Sequence, residues 1–208
     1  MKIIELRNVG KKYYQKSVFS SLSYVFRTDK IYLVVGANGS GKTTLIKGML
    51  GLIRFSEGEI IAKPLKYAYL PEKIALPAAV TVYDFLKNIG AIKEVKHTEQ
   101  KIIYLLRKWQ LSGIKKIKEL SKGMRQKVLI IQMLLSDADV YFLDEPLSGL
   151  DLTSRKNFLQ LIEQLKQKGK TLIISSHYPN RFPYDKVLAL VNGDMYEGFD
   201  KMPSSILD

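Results

Sequence analysis

The eight residues at positions 36–43, with the sequence GANGSGKT, constrain the fold of this chain more than any other segment. They follow a short β-branched run at residues 31–35, and apolar residues at helical spacing come after them. A glycine-rich turn between a buried strand and a helix lets successive backbone N–H groups converge on phosphate oxygens, beside the positive end of the helix. The pattern predicts a phosphate-binding loop on an α/β sheet, and the flanking strand and helix disfavour the alternative of a merely flexible turn.

The loop contains a lysine and a threonine at the positions that recognise a nucleoside triphosphate and its metal ion. We expect Lys42 to bridge the β- and γ-phosphates and to act in catalysis, and we expect the hydroxyl of Thr43 to bind Mg²⁺. The other predicted nucleotide contacts of the loop are Gly36, Asn38, Gly39, Ser40, Gly41 and Thr44.

A second motif is the apolar run at residues 140–143, which delivers Asp144 and Glu145 at its end. Open α/β sheets bind ligands at the C-terminal ends of their strands, so Asp144 is a candidate Mg²⁺ ligand. Consecutive strand residues point to opposite faces, which leaves Glu145 as the candidate general base for an attacking water. An acidic pair alone fits a turn or a helix cap equally well, but the upstream loop favours the catalytic interpretation.

The order of patterns predicts a single α/β domain over residues 1–208. We expect a P-loop NTPase core with a mostly parallel sheet, formed by residues 1–80 and 137–208, and strand patterns near the N-terminus predict an antiparallel part. Between residues 81 and 136 the hydrophobic period changes to 3.6, which predicts an inserted α-helical subdomain. Thr81 and Asp84 resemble a capping box at its start, and an apolar stripe is predicted from Ile102, Ile103, Leu105, Leu106 and Trp109. Residues 186–191, the pair Asn192-Gly193 and residues 195–199 predict a closing hairpin.

Composition excludes several other classes of protein. The chain has no cysteine, which excludes disulfides, zinc-thiolate sites and cysteine nucleophiles. No apolar run approaches the length that spans a bilayer, and charges at Glu5 and Arg7 argue against a secretory signal, so we expect a cytoplasmic location. The formal net charge of +13 favours a polyanionic partner: a nucleotide, a nucleic acid or an anionic lipid surface.

Taken together, these motifs resemble those of the ATP-binding cassette (ABC) ATPases, the nucleotide-binding subunits of ABC transporters. Five further segments carry the resemblance in the family's order along the chain: Tyr13, YLPE at residues 69–72, LSKGM at residues 120–124, SGLD at residues 148–151 and SSH at residues 175–177. The resemblance covers nearly the whole chain. It implies an enzyme that converts ATP and water to ADP and phosphate with Mg²⁺.

Three of these segments are implicated in binding the nucleotide within one chain. By the resemblance, Tyr13 stacks on adenine, although the residues alone leave Tyr14, or neither tyrosine, as alternatives. Glu72 stands where the family usually has a glutamine that meets Mg²⁺, and it therefore brings an extra negative charge to the metal. His177 ends a strand as the family's switch histidine does, and it would contact the γ-phosphate.

By the resemblance, two further segments are implicated in binding the nucleotide held by a second copy of the chain. They are the family's signature motif, here LSKGM at residues 120–124, and SGLD at residues 148–151. Lys122 and Met124 depart from the usual Leu-Ser-Gly-Gly-Gln, but Ser121 and Gly123 remain, and Ser121 is placed to cap a helix whose N-terminus faces phosphate. Asp151 would contact the partner subunit, with simple helix capping as the alternative.

The resemblance also implies partners. Two subunits would enclose two ATP molecules head to tail, as a homodimer or with a different cassette, and would drive a separate transmembrane permease from the cytoplasmic face of the membrane. Replacements such as Lys122 and Met124 in the signature resemble those of simple exporter cassettes, so the resemblance implies an exporter-like subunit. The alternative is a non-transport cassette ATPase acting on nucleic acid or ribosomes, and the single cassette and the absence of a coiled-coil insertion argue against its common versions. A soluble P-loop kinase would not explain residues 120–124.

Overall fold

The structure is a computed structural model that describes residues 1–198. The end of the predicted hairpin at Phe199, and residues 199–208 of the predicted domain, lie outside the described residues. The strands are β1 Lys2–Tyr13, β2 Lys16–Arg27, β3 Ile31–Val35, β4 Glu57–Ala62, β5 Tyr67–Leu70, β6 Val140–Asp144, β7 Thr171–Ser176, β8 Lys186–Val191 and β9 Asp194–Glu197. The α-helices are α1 Lys42–Met49, α2 Val82–Ile92, α3 Thr98–Lys108, α4 Lys122–Leu135 and α5 Leu152–Gln167, and Ile117–Glu119 and Pro179–Arg181 form 3₁₀ turns.

Six strands form the main sheet, in the order β5-β6-β7-β3-β8-β9. The first five strands of this order run parallel, and only β9 pairs antiparallel. Every residue of β3, β6 and β7 is buried. Such continuous burial is what a parallel strand covered on both faces requires, and it explains the uninterrupted apolar runs.

The first two strands and β4 form a separate antiparallel sheet in the order β2-β1-β4. One hydrophobic cluster joins this sheet to the main sheet and to α1, and its largest side chains include Phe19, Phe26 and Phe142. The cluster fixes α1, and with it the loop at residues 36–41, against the N-terminal strands. This is the predicted antiparallel part of the fold.

Helices α2, α3 and α4 follow one another and pack on a second hydrophobic cluster with α5. Thr81 caps α2 by accepting a hydrogen bond from the backbone of Asp84, as predicted, and Trp109 of this cluster lies 6.4 Å from Phe158 of α5 between ring centroids. The predicted apolar stripe was wrong at Ile103, which is 44% exposed. The helical insertion is present, and the boundaries at residues 81 and 136 stay a prediction.

Helix α1 ends earlier than its apolar pattern suggests. The pattern extends to Leu52, but α1 ends at Met49 and Leu52 is exposed. Gly51 has a φ of +71°, a conformation that glycine adopts readily and that stops a helix. The predicted hairpin, by contrast, forms between β8 and β9, with Asn192 and Gly193 both at positive φ in the turn.

Candidate active site

The loop between β3 and α1 is held by two close backbone approaches that require glycine. A Cβ added at Gly36 would lie 2.5 Å from the carbonyl oxygen of Leu190. Gly41 has a φ of +104°, and a Cβ there would lie 2.7 Å from the side chain of Val18. Since L side chains rarely adopt that conformation, the loop can curl into the start of α1 only with glycine at position 41.

The ammonium group of Lys42 is buried at the start of α1. The side chain is 6% exposed, and Nζ donates hydrogen bonds to the carbonyl oxygens of Gly36, at 2.7 Å, and Ala37, at 3.1 Å. Nζ also lies 3.7 Å from Oε1 of Glu145. Burial lowers the pKa of Lys42, while the neighbouring carboxylates of Glu145 and Asp144 oppose that change. The loop and the acidic pair therefore face each other across one ammonium group.

The ends of β6 and β7 bring the acidic pair together with the predicted histidine. The Ser175 hydroxyl donates to Oδ1 of Asp144 and also accepts a hydrogen bond from the backbone N–H of Glu145 at 3.1 Å. Glu145 has a φ of +46°, which turns its side chain away from the strand. Its Oε2 lies 2.9 Å from Nδ1 of His177. The candidate base, Glu145, and the imidazole of His177 are thus within hydrogen-bond distance of each other.

Four buried oxygens at this end of the sheet have no hydrogen-bond partner within the described residues: Ser40 Oγ, Tyr69 Oη, Asp144 Oδ2 and Glu145 Oε1. Burial raises the pKa of Tyr69, and the negative charge of Asp144 adds to this effect. A buried polar atom without a partner costs free energy, of the order of 1–3 kcal/mol. These oxygens are therefore poised to bind a ligand or a cation.

Lys42, Glu145 and His177 line an open cavity of about 410 Å³. Among the predicted site residues, the cavity wall brings together Asn38, Gly39, Gly41, Lys42, Thr43, Thr44, Glu72, Glu145 and His177. Lys16, Val18 and Ser148 also line it. Sequence reasoning missed these three residues, along with Ser175 and Tyr69. Tyr69, Ser148 and Ser175 lay in segments already singled out, and nothing in the pattern around Lys16 or Val18 distinguishes them from ordinary strand residues.

The remaining predicted residues do not line this cavity. Tyr13 ends β1 with its ring 46% exposed, and Nζ of Lys11 lies 4.8 Å from the ring centroid. Tyr14 is fully exposed. Gly36 and Ser40 belong to the loop but not to the cavity wall, and Asp144 is fully buried and does not line the cavity either. The prediction that Tyr13 binds adenine therefore has an accessible ring in its favour and stays a prediction.

The start of α4 packs on the segment at residues 148–151 of its own chain and contributes nothing to the cavity wall. Ser121 caps α4 as predicted, accepting from the backbone of Met124 at 3.3 Å, and Asp151 caps α5, accepting from Ser154 at 2.7 Å. A Cβ on Gly123 would lie 2.5 Å from the carbonyl oxygen of Gly149. The signature and the loop at residues 36–43 therefore belong to different surfaces of one chain.

Residues 1–198 contain no group of three or more histidine, aspartate or glutamate residues arranged to hold a metal ion by itself. Within the same residues, no helix is both long enough and apolar enough to cross a bilayer.

Known proteins with the same organisation were identified by comparison. The sequence profile of the family described as "ABC transporter" matches residues 19–148. The manganese transport system ATP-binding protein MntB of Listeria monocytogenes is 34% identical over 191 residues, which cover 84% of this chain and 80% of the relative. The zinc import ATP-binding protein ZnuC of Rickettsia prowazekii is 37% identical over 181 residues, covering 84% of this chain and 76% of the relative.

A solved structure extends the similarity to the fold. The ATP binding subunit of an ABC transporter superposes with a TM-score of 0.85 at 26% identity, covering 94% of this chain and 89% of that chain. The predicted fold class, with its P-loop NTPase core, is confirmed. The name of the zinc relative states import, so it gives no support to the exporter-like character expected from the signature. The chain belongs to the ABC transporter family, and it is an ATP-binding and ATP-hydrolysing subunit that powers a separate membrane permease.

Proposed function

We propose that ATP binds in the cavity between the loop at residues 36–43 and the end of β6, with its phosphates on the loop and its adenine on Tyr13. The observation that carries this proposal is the convergence of Lys42, Glu145 and His177 on one cavity. Backbone N–H groups at the start of α1 would bind the phosphates, helped by the positive end of the helix. Lys42 would exchange its bonds to the Gly36 and Ala37 carbonyls for phosphate oxygens.

The residues present fit a magnesium ion. Oδ2 of Asp144 is fully buried and has no hydrogen-bond partner among the described residues, and Thr43 and Glu72 line the cavity. Mg²⁺ is usually held by one or two carboxylates together with substrate phosphates, so a small set of protein oxygens is what it requires. Thr43, Asp144 and Glu72 would hold the ion, and Glu72 would add a negative charge beside it. When bound, Mg²⁺ neutralises charge that develops on the phosphate oxygens.

Glu145 is the proposed general base. Its carboxylate lies between the ammonium group of Lys42, at 3.7 Å, and the imidazole of His177, at 2.9 Å. In this position it would accept a proton from the attacking water, while His177 orients the carboxylate and contacts the γ-phosphate. Lys42 would stabilise charge on the transferred phosphoryl group. This assigns all three predicted catalytic residues to one step.

A complete ATP site needs residues from two subunits, and we call it the composite site. Ser121 and Gly123 start α4 on a surface that does not line the cavity of their own chain, and Asp151 lies beside them. We infer that two chains pair head to tail, so that Ser121 and Gly123 of each subunit bind the γ-phosphate held by the other, with Asp151 at the contact. Because γ-phosphate contacts end with hydrolysis and release, the stability of the pair changes in each cycle.

The permease would hold this subunit at the cytoplasmic face of the membrane. The net charge of +13 supports a position next to anionic lipid head groups. Tagged chain purified from gently solubilised membranes should bring a polytopic membrane protein with it. If the tagged chain is retained on DNA and no membrane protein accompanies it, this part of the proposal is contradicted.

The experiment that tests the pairing is substitution of the base. Glu145→Gln keeps the shape of the side chain but cannot accept a proton as a carboxylate does. With ATP and Mg²⁺, light scattering should find the Glu145→Gln variant as a dimer, whereas the wild-type protein dissociates as it hydrolyses ATP. Glu163→Gln, an exposed change on α5, is the matched control and should behave as wild type. A Glu145→Gln variant that binds ATP and remains monomeric would overturn the composite site.

A further inference from the structure

Two of the buried oxygens without a hydrogen-bond partner belong to neighbouring strands: Oη of Tyr69 on β5 and Oδ2 of Asp144 on β6. A phenol hydroxyl is a donor and an ionised carboxylate is an acceptor, so each could satisfy the other. The other oxygen of Asp144 is already held, since Oδ1 accepts from the Ser175 hydroxyl. Oδ2 is therefore the oxygen left for the proposed magnesium ion, and since a carboxylate oxygen has two acceptor sites, it can also accept from Tyr69.

The register of the sheet places both side chains on the same face. β5 and β6 are parallel, and Tyr69 pairs with Phe142, two residues before Asp144. Side chains two apart on a strand share a face, and so do paired residues on neighbouring strands. The ring of Tyr67, two residues before Tyr69, contacts the ring of Phe142 at 5.7 Å between centroids, which confirms that the two strands present these side chains on one face. Tyr69 thus lies on the Asp144 side of the sheet and one step nearer to the site than Tyr67.

Two carboxylates act on the Tyr69 hydroxyl. Burial is the main cause of its raised pKa, the charge of Asp144 adds to that effect, and Glu72, two residues after the end of β5, adds less. Both carboxylates are proposed ligands of the magnesium ion. A buried donor beside two carboxylates of one metal site can fix the orientation of those carboxylates toward the metal ion. In other metal sites, residues that bond to the metal ligands change the affinity for the metal in this way.

We propose that Tyr69 is a positioning residue for the magnesium site: its hydroxyl donates to Oδ2 of Asp144 and, together with Ser175 on Oδ1, holds the carboxylate in one orientation toward the ion. This inference rests on the proposed magnesium site. It assigns Tyr69 no contact with ATP. Losing the hydroxyl should weaken the binding of the cation by about 10-fold, as the loss of outer partners of metal ligands does.

The test uses Tyr69→Phe, which removes one oxygen and keeps the ring, with Tyr67→Phe as the matched control. Tyr67 lies on the same strand and face, but its hydroxyl donates to the carbonyl of Lys63 at 3.0 Å, away from the site. Each full chain is mixed with a nonhydrolysable ATP analogue, with protein in excess so that all analogue is bound, and bound Mn²⁺ is measured by electron paramagnetic resonance. The affinity for the analogue alone is measured in EDTA.

The expected result is about 10-fold weaker Mn²⁺ binding in Tyr69→Phe, with Tyr67→Phe and the affinity for the analogue in EDTA unchanged. If wild type and Tyr69→Phe bind Mn²⁺ equally, the positioning role is wrong and the metal site stands. If Tyr69→Phe loses analogue affinity in EDTA to the same extent, Tyr69 is merely structural and the inference also fails. If wild type itself binds no Mn²⁺ at this site, the proposed metal site fails.

Discussion

Nδ1 of His177 lies 2.9 Å from Oε2 of Glu145, although the two residues are separated by 32 positions in the chain. The contact exists because β6 and β7 are adjacent parallel strands whose C-terminal ends meet at the same edge of the sheet. It joins the proposed general base to the residue proposed to contact the γ-phosphate.

Replacing His177 with alanine should reduce the rate of hydrolysis by about 100-fold, within the range that a positioned acid or base contributes. The affinity for ATP should change much less, because Lys42 and the loop remain. The chain has one other histidine, His97, which is exposed in the loop before α3. His97→Ala is the control and should keep full activity. Steady-state ATPase assays with binding measured by a fluorescent nucleotide check this, and equal loss in both variants would refute it.

The hydroxyl of Ser175 contacts both residues of the acidic pair, donating to the carboxylate of Asp144 and accepting from the backbone N–H of Glu145. Ser175→Ala should lower the free energy of unfolding by about 1–3 kcal/mol, because it leaves a buried carboxylate oxygen without its donor. It should also lower the rate of hydrolysis, since the Asp144 carboxylate and the backbone of Glu145 both lose a hydrogen bond. Urea denaturation and ATPase assays measure the two effects. A variant as stable and as active as wild type would show that Ser175 does not organise the site.

Asp185 links three elements of the core and gives the stability a pH dependence. Its Oδ2 accepts a hydrogen bond from the backbone of Ile31 at 2.7 Å and from the ammonium group of Lys166. Burial on its own raises the pKa of Asp185, but the bonds to Lys166 and Ile31 outweigh it and lower the pKa below 3.8. The charged form is therefore favoured by folding, so its stabilisation is present above pH 3.8 and is lost as pH falls through the lowered pKa.

Asp185→Asn should accordingly cost about 1 kcal/mol of unfolding free energy at pH 7, as expected for an ion pair near the surface. The difference from wild type should shrink as the pH falls below 3.8. Urea denaturation from pH 7 to pH 3 gives both values. Asp194→Asn, an exposed change in the β8–β9 hairpin, is the control and should cost little at any pH. A difference that stays constant down to pH 3 would contradict the role of the charge.

Features encoded within a few consecutive residues could be predicted from the sequence. The strand before the loop, the loop itself and the helix caps at Thr81 and Ser121 are each local patterns, and the structure contains them. Asp144 and Glu145 were placed at a strand end for the same reason. Local chemistry decides such features, because glycine, capping hydroxyls and apolar periodicity act on their own neighbourhood.

Features that depend on strand register could not be predicted in this way. The bond between Ser175 and Asp144 requires β6 and β7 to be neighbours with these two residues paired, and no local pattern states which strands are adjacent. Tyr69 was noted only as part of a motif, because its relation to Asp144 appears only once β5 pairs with β6. Helix α1 ended early for a local reason, since Gly51 at positive φ overrode the apolar spacing.

Gly123 packs so closely on the carbonyl of Gly149 that a Cβ would lie 2.5 Å from that oxygen, and a backbone oxygen cannot move aside as a flexible side chain can. Gly123→Ala should therefore displace the first turn of α4, which carries the proposed contact with the partner's γ-phosphate. A displacement of about 1 Å can cost about 100-fold in rate, so we expect hydrolysis to fall by roughly 10- to 100-fold while each monomer still binds ATP. Gly113→Ala is the control, because its Cβ would meet side chains and no backbone oxygen: Leu106 at 3.0 Å and Tyr83 at 3.4 Å. ATPase assays and light scattering on both variants, each also carrying Glu145→Gln for the scattering, measure rate and pairing. If Gly123→Ala pairs and hydrolyses ATP as wild type does, the start of α4 does not form half of the composite site.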